Sequence, residues 1–202
     1  MAWLMRLDFS ILYWIQNSWR CGFLDFLMPK ITFLGEVGWI WLAFAVMLLF
    51  MPKYRRVGIL VLAGLLTGVL VGNVALKHLF MRARPCWLDP TVQMLISVPR
   101  DYSFPSGHTL ASVIAATVLT AADRRFGYAV IPLAVLIAAS RLYLFVHFFT
   151  DVLASTVLGC VIGILVWKFG SRLLDKIMPQ KEAVWKNAGF ALDPAFCLAY
   201  TR

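Results

Sequence analysis

From residue 57 to residue 80 the chain runs for 24 positions with Lys77 as its one formally charged side chain. About 20 predominantly apolar residues match the hydrocarbon thickness of a bilayer. In lipid each backbone N–H and C=O must bond within its own segment, so a stretch like this is a helix. Four more stretches read as spans: 31–51, with Glu36 near one end, then 106–122, 126–146 and 151–169. Composition agrees. Of 202 residues, 61% are hydrophobic and 14% charged, more apolar surface than a soluble core of this size can hide. The expected fold is all-α, an integral-membrane bundle of about five transmembrane helices.

Ahead of the first span, Leu7, Ile11, Leu12, Ile15 and Trp19 recur at helical spacing, with Asp8, Gln16, Asn17 and Arg20 elsewhere around the axis. That pattern predicts an amphipathic N-terminal helix lying in the interface. The start lacks the basic run, short apolar core and small-residue cleavage site of a signal peptide. We therefore expect an interfacial segment 1–30, a helical bundle 31–174 and a cytoplasmic tail 175–202. Thr109, Ser112, Thr117 and Thr120 mark the third span as a helix enclosed by others. Gly64, Gly68 and Gly72 in the second span, and Gly159 and Gly163 in the fifth, form small-residue stripes that admit close helix approach. We assign these stripes to packing within the chain rather than to dimerisation. Cys21, Cys86, Cys160 and Cys197 show no paired spacing and read as free thiols.

The formal charge of +9 reflects basic loops rather than a nucleic-acid partner. Lys53, Arg55, Arg56, Arg124 and Arg125 sit in short connectors on one side, with Lys168, Arg172 and Lys176 after the last span. Arg82, Arg84 and Arg100 fall on the other. If these opposite cations serve a substrate, the connectors mark the cytoplasm and the reactive face points outward.

Three polar clusters reach that face by the alternation of helix directions. Lys77, Arg82, Arg84 and Pro85 end the second span; Pro105, Ser106, Gly107 and His108 open the third; Ser140, Arg141, His147 and Asp151 bridge the fourth and fifth. Ionisable groups at a membrane rim are costly enough to imply function, and arginine grips phosphate oxygens bidentately. Ser106 and Gly107 at a helix start offer backbone N–H groups, a ready anion site. His147 and Asp151 stand four apart, within mutual reach. A carboxylate on one ring nitrogen leaves the other free to attack, and His108 from another helix is placed to act as general acid. Arg82 and His78 read as flanking residues without a role.

These clusters resemble the type 2 phosphatidic acid phosphatase superfamily, whose signature runs K-x6-R-P, then P-S-G-H, then S-R-x5-H-x3-D. The chain matches every defined position: Lys77, Arg84 and Pro85; Pro105, Ser106, Gly107 and His108; Ser140, Arg141, His147 and Asp151. Short bacterial members are the nearest likeness. Two features depart from the pattern. Members often begin with an additional membrane helix, and many carry proline soon after the nucleophilic histidine, where Phe148 and Phe149 stand here. The resemblance implies a lipid phosphatase acting on substrates such as undecaprenyl pyrophosphate, phosphatidylglycerol phosphate or phosphatidate. His147 would form a phosphohistidine, Asp151 orient it, and His108 protonate the leaving oxygen. Lys77, Arg84, Arg141, Ser106 and Gly107 would hold the phosphoryl oxygens, with no metal or other cofactor. Its partners would be the lipid phosphate and the surrounding membrane lipids. A phosphotransferase using the same intermediate is the alternative. An anion transporter fits less well, because its polar residues would gather at the midplane rather than at one face.

Overall fold

A computed structural model describes residues 2–178, all of its regular structure among them helical. Two units are distinguished, Met1–Ser171 and Arg172–Arg202. Most of the expected tail, from residue 179 onward, and Cys197 lie outside the described residues. The chain runs α1 (Ala2–Ser18), α2 (Gly22–Leu34), α3 (Trp39–Phe50), α4 (Arg55–Gly68), a wide-turned π segment (Val69–Leu76), α5 (Lys77–Phe80) and α6 (Pro85–Leu88). After an irregular loop come α7 (Gly107–Ala122), α8 (Arg124–Tyr143), α9 (Phe149–Leu165), a second π segment (Val166–Gly170) and α10 (Ser171–Ile177).

Arg55–Leu88, Arg124–Tyr143 and the helix that begins at Phe149 are long and apolar enough to cross a membrane. The expected span 31–51 is different. It begins earlier, at Gly22, and is a broken pair bent by 42° where Gly22–Leu34 meets Glu36–Phe50. Gly38 there takes φ 71° and Val37 φ 53°, outside helical space. Glu36 thus lies at the break in mid-span, not near an end. A carboxylate in continuous helix at that depth would face lipid, whereas the break turns it toward an internal cavity. The fourth candidate span is this pair.

α7 has 16 residues, about 24 Å at 1.5 Å per residue, short of the roughly 30 Å hydrocarbon core. Its neighbours explain how it manages. It is the central helix, packed by α4, α8 and α9, with Thr109 and Ser112 fully buried. Ser112 Oγ accepts a hydrogen bond from the Trp41 indole on α3 at 2.9 Å. Both glycine stripes close on α7 from either side. A Cβ on Gly72 would lie 2.4 Å from a Leu110 methyl, and one on Gly163 2.6 Å from Thr117 Cβ. The stripes serve packing inside the chain, as expected. Cys21, Cys86 and Cys160 are free thiols.

α1 is the expected N-terminal helix, but the face it buries is not simply the apolar stripe. Leu12 and Ile15 are buried, but so is Asp8, while Leu7 and Trp19 from the apolar set are exposed. The helix packs on α8 and α9 through a face rotated toward its one carboxylate.

Candidate active site

His147 occupies the turn between α8 and α9 and is 1% exposed. Phe145 takes φ 57° in this turn, a strained conformation for a bulky residue. Arg84 meets the turn from the opposite wall. Its Nη1 donates to Val146 O at 2.7 Å and lies 3.1 Å from His147 Nε2. Arginine has donors only, so Nε2 carries the ring's lone pair and Nδ1 its hydrogen. Nδ1 faces Ser103 Oγ at 3.5 Å and Asp151 Oδ2 at 3.8 Å. The direct His147–Asp151 bond expected from spacing is therefore replaced by a relay: Ser103 Oγ donates to Asp151 Oδ2 at 2.5 Å. Burial, and then the charges of Arg84, Arg141 and Lys77, hold the His147 imidazole well below the ordinary histidine value. At neutral pH it is an uncharged ring with a lone pair turned toward cations.

Three cations surround that lone pair. Lys77 begins α5 directly after the π segment, and widened helical turns of this kind recur at functional sites. Arg84 caps α6 ahead of Pro85, which sits at the helix start where no N–H is needed. Arg141 lies in the last turn of α8, the dipole's negative end. Its Nη1 donates to Thr32 on α2 and lies 3.4 Å from His108 Nε2, while its buried Nε has no hydrogen-bond partner among the described residues. An unsatisfied buried donor is costly, and a ligand oxygen would relieve it. Asp101, which the sequence did not single out, bridges two of these cations. It bonds Lys77 and Arg84 Nη2, the latter at 2.7 Å, and its carbonyl accepts from Arg84 Nε at 2.7 Å. Burial alone would raise its pKa; the Lys77 hydrogen bond and the Arg84 and Lys77 charges outweigh this and hold the carboxyl at about 2.

His108 stands in the first turn of α7, with Glu36 Oε2 3.8 Å from its Nε2. The α2–α3 break makes room for the ring: a Cβ on Gly35 would come within 2.8 Å of His108 Cδ2. Gly107 faces Asn73, whose Oδ1 a Cβ would meet at 3.0 Å. Ser106 is the correction in this cluster. Its backbone N–H donates to Ser155 Oγ at 2.8 Å and its hydroxyl pairs with Thr109. The N–H that sequence reasoning offered to an anion is thus already committed, and Ser106 does not line the cavity.

That cavity, about 850 Å³, joins two chemistries. One end carries Lys77, Arg84, Arg141, His108 and His147; the other is walled by apolar residues of α2, α3 and α4. Sequence-distant clusters thus meet in one space.

A family profile described as the PAP2 superfamily matches residues 56–175, more than half of the chain. The chain belongs to the PAP2 superfamily. Among PAP2 relatives, it is 33% identical over 138 residues to an undecaprenyl-diphosphatase of Sulfolobus acidocaldarius, covering 66% of each chain. It is 30% identical over 124 residues to undecaprenyl-diphosphatase BcrC of Bacillus subtilis, covering 59% of this chain and 64% of that one. It therefore spans just under two thirds of the length of these two relatives. Two solved structures share the fold. A PAP2-type phosphatidylglycerolphosphate phosphatase from Bacillus subtilis superposes with TM-score 0.71 at 27% identity, covering 86% of this chain and 89% of that one. Aquifex aeolicus LpxE superposes with TM-score 0.66 at 26% identity, covering 80% and 95%.

Around the PAP2 signature the structure adds residues that pattern matching passed over. Glu36, Asp101 and Ser103 sit against the two histidines or their cations. Arg82, read as a flanking residue, bonds Asp151 itself. A signal existed for Arg82: a second arginine two positions before Arg84 at a membrane rim is expensive unless paired.

Proposed function

We propose that this PAP2 protein is a lipid phosphatase that hydrolyses a membrane-embedded phosphate or pyrophosphate ester through a phosphohistidine. One observation carries the reading: the lone-pair nitrogen of a buried, neutral His147 faces a cationic chamber that opens into an apolar groove. The chamber suits a phosphoryl group and the groove suits a hydrocarbon chain. Leu66 of α4 and Phe33 of α2 line the groove and are each about 60% exposed, so it is open toward the lipid side of the bundle.

In this mechanism His147 Nε2 attacks phosphorus, and the bond from phosphorus to the leaving oxygen breaks. His108 gives that oxygen a proton. Water then attacks the phosphohistidine, returning a proton to His108 and releasing orthophosphate with His147 restored. Lys77, Arg84, Arg141 and the start of α7 at Gly107 hold the equatorial oxygens as charge grows on them, the logic of an oxyanion hole. Ser103 and Asp151 stabilise the Nδ1–H tautomer and the cation formed on attack. This route needs no metal, and the chamber's lysine and arginines would repel one. The kinship with undecaprenyl-diphosphatases makes a polyprenyl pyrophosphate the first substrate to test. We assign a membrane phosphatase domain to residues 1–174 and a cytoplasmic tail to 175–202. The basic connectors at 53–56 and 124–125 support an active face outside the cytoplasm.

The test is a panel assay of purified protein on undecaprenyl pyrophosphate, phosphatidylglycerol phosphate and phosphatidate. His147→Ala and His108→Ala each abolish phosphate release, EDTA leaves it unchanged, and acid-labile phosphate is trapped on the wild type but not on His147→Ala. Full activity in His147→Ala overturns the reading. For orientation, cysteines placed at Pro90 and Tyr54 are labelled from outside intact cells; labelling at 54 alone reverses the assignment.

A further inference from the structure

Behind His147, on the side away from the cavity, five charged or polar groups form a second cluster around the buried carboxylates of Asp8 and Asp151. Arg82 forks between two carboxylates: Nη1 donates to Asp151 Oδ1 at 2.5 Å and Nη2 to Asp8 Oδ2 at 2.6 Å. Nη1 also donates to Thr150 Oγ1 at 2.8 Å. Asp8, fully buried on α1, accepts in turn from Thr150 N at 3.0 Å and from its hydroxyl at 2.6 Å. The Arg82 carbonyl accepts from Ser103 N at 2.8 Å, and Ser103 is the hydroxyl between Asp151 and the His147 ring. Arg82 therefore fixes both oxygens of Asp151, one directly and one through Ser103. Its guanidinium lies 4.1 Å over the Phe148 ring, and Phe9 of α1 meets that ring edge-on with centroids 5.2 Å apart.

None of Asp8, Arg82, Ser103, Thr150 or Asp151 lines the cavity. Arg82 carries the same charge as the phosphate-facing cations but points the other way. A guanidinium shared by two buried carboxylates is held in one place, because losing either partner leaves a desolvated charge uncompensated. A catalytic carboxylate with each oxygen anchored keeps its orientation through the reaction.

We propose that Asp8 and Arg82 are positioning residues for the catalytic turn: α1 holds Asp151, through Arg82, in the geometry that keeps His147 Nε2 on line with phosphorus. The N-terminal helix is then part of the catalytic apparatus rather than a membrane-surface accessory. This rests on the phosphohistidine reading, in which Asp151 and Ser103 orient His147.

The test compares Asp8→Asn, Arg82→Gln, Arg82→Lys and the Asp8→Asn/Arg82→Gln double variant, with Ser10→Ala on the exposed side of α1 as control. Misplacing a reacting group by about 1 Å costs on the order of 10²-fold. Arg82→Gln is therefore expected to lower kcat by about 10²-fold, with KM for the lipid unchanged. Asp8→Asn loses less, because the Asp151 contact survives. Arg82→Lys recovers part of the loss, since an ammonium keeps the charge but not the planar fork. The double variant is no worse than Arg82→Gln, as two residues in one chain of contacts do not add. Wild-type kcat in Asp8→Asn and Arg82→Gln refutes the proposal, as does a loss confined to KM. A kcat that falls only in step with the melting temperature makes the cluster structural and also refutes it. If Asp8→Asn does not purify folded, the two Arg82 variants carry the same comparison from the other partner. His147→Ala separates the two claims. Its inactivity alongside fully active Asp8→Asn and Arg82→Gln sinks this inference alone, whereas its activity sinks the mechanism beneath it.

Discussion

Gly35→Ala tests whether His108 must sit where the structure holds it. Gly35 has φ −90° and ψ −4°, angles alanine adopts freely, so the substitution introduces no backbone strain. What it introduces is volume. The new Cβ would lie 2.8 Å from His108 Cδ2 and 2.8 Å from Ile137 Cγ2, whereas carbon contacts settle at about 3.5–4.0 Å. Ile137 is fully buried and its γ-methyl has little room to move, so the imidazole takes most of a shift of roughly 0.7–1.2 Å. Overpacking of this kind costs about 1–3 kcal/mol of stability. The kinetic cost is of similar size, since a misplaced general acid loses up to about 10²-fold. The assay uses two substrates: an alkyl phosphate, whose alkoxide needs a proton to depart, and p-nitrophenyl phosphate, whose nitrophenolate does not. kcat for the alkyl ester should fall at least several-fold more than for the aryl ester, with binding preserved. Equal losses on both, or an unchanged alkyl rate in folded protein, would remove His108 from the role of acid.

Two other perturbations probe the chamber. Asp101→Asn removes the counter-anion of Lys77 and Arg84. A unit charge about 5 Å from a bound oxyanion costs roughly 3 kcal/mol at an effective dielectric near 20. With the Asp101 side chain 54% exposed, screening leaves about 1 kcal/mol, so vanadate should inhibit the variant about five-fold more tightly; an unchanged or weaker inhibition constant contradicts this. The depressed His147 value sets the pH dependence. In the proposed mechanism attack needs the neutral ring, so on the acid side activity is lost as pH falls through the folded-state value, which lies below the ordinary ~6.5. The acid limb of kcat/KM, which reports the free enzyme, should therefore fall below pH ~6.5; a limb at or above that value in wild type would show a ring that is neither desolvated nor flanked by cations.

The signature residues were legible because each carries its own peculiarity: charge at a membrane rim, proline and glycine at a helix start, histidine and aspartate one turn apart. Their convergence followed from the alternation of spans. The supporting carboxylates were not legible in the same way. Asp8 lies 74 positions before its partner Arg82, and helical spacing put it off the apolar stripe of α1, where nothing local pointed to a buried partner. Asp101 sits in an irregular loop where no period exists to assign a direction. The break at Gly35–Gly38 was hidden by the apolar residues on both sides, since hydropathy averages over a window and a left-handed glycine leaves no trace in it. Ser106 failed for a further reason: a helix N-terminus offers donors only where no neighbouring side chain has taken them, and Ser155 arrives from another helix.

The charges around the site divide into two sets with His147 between them. On the Nε2 side stand Lys77, Arg84 and Arg141 with Asp101 and Glu36; on the Nδ1 side stand Arg82 with Asp8 and Asp151. Four cations and four carboxylates balance overall, which makes the cluster tolerable at low dielectric, but they are unevenly sorted. The ring lies across the resulting field, its lone pair toward positive charge and its N–H toward negative. In the proposed mechanism that polarisation favours a hydrogen on Nδ1 before attack and a cationic imidazole after it, because the positive charge formed on phosphorylation would spread toward Ser103 and Asp151. A phosphate dianion entering the Nε2 side must share Lys77 and Arg84 with the half-exposed Asp101 carboxylate. The free site is in this sense already filled by its own anion, and binding is an exchange of one anion for another rather than the neutralisation of bare cations. An anion carrying more charge displaces Asp101 more readily, which favours a pyrophosphate over a monoester at the same lipid chain.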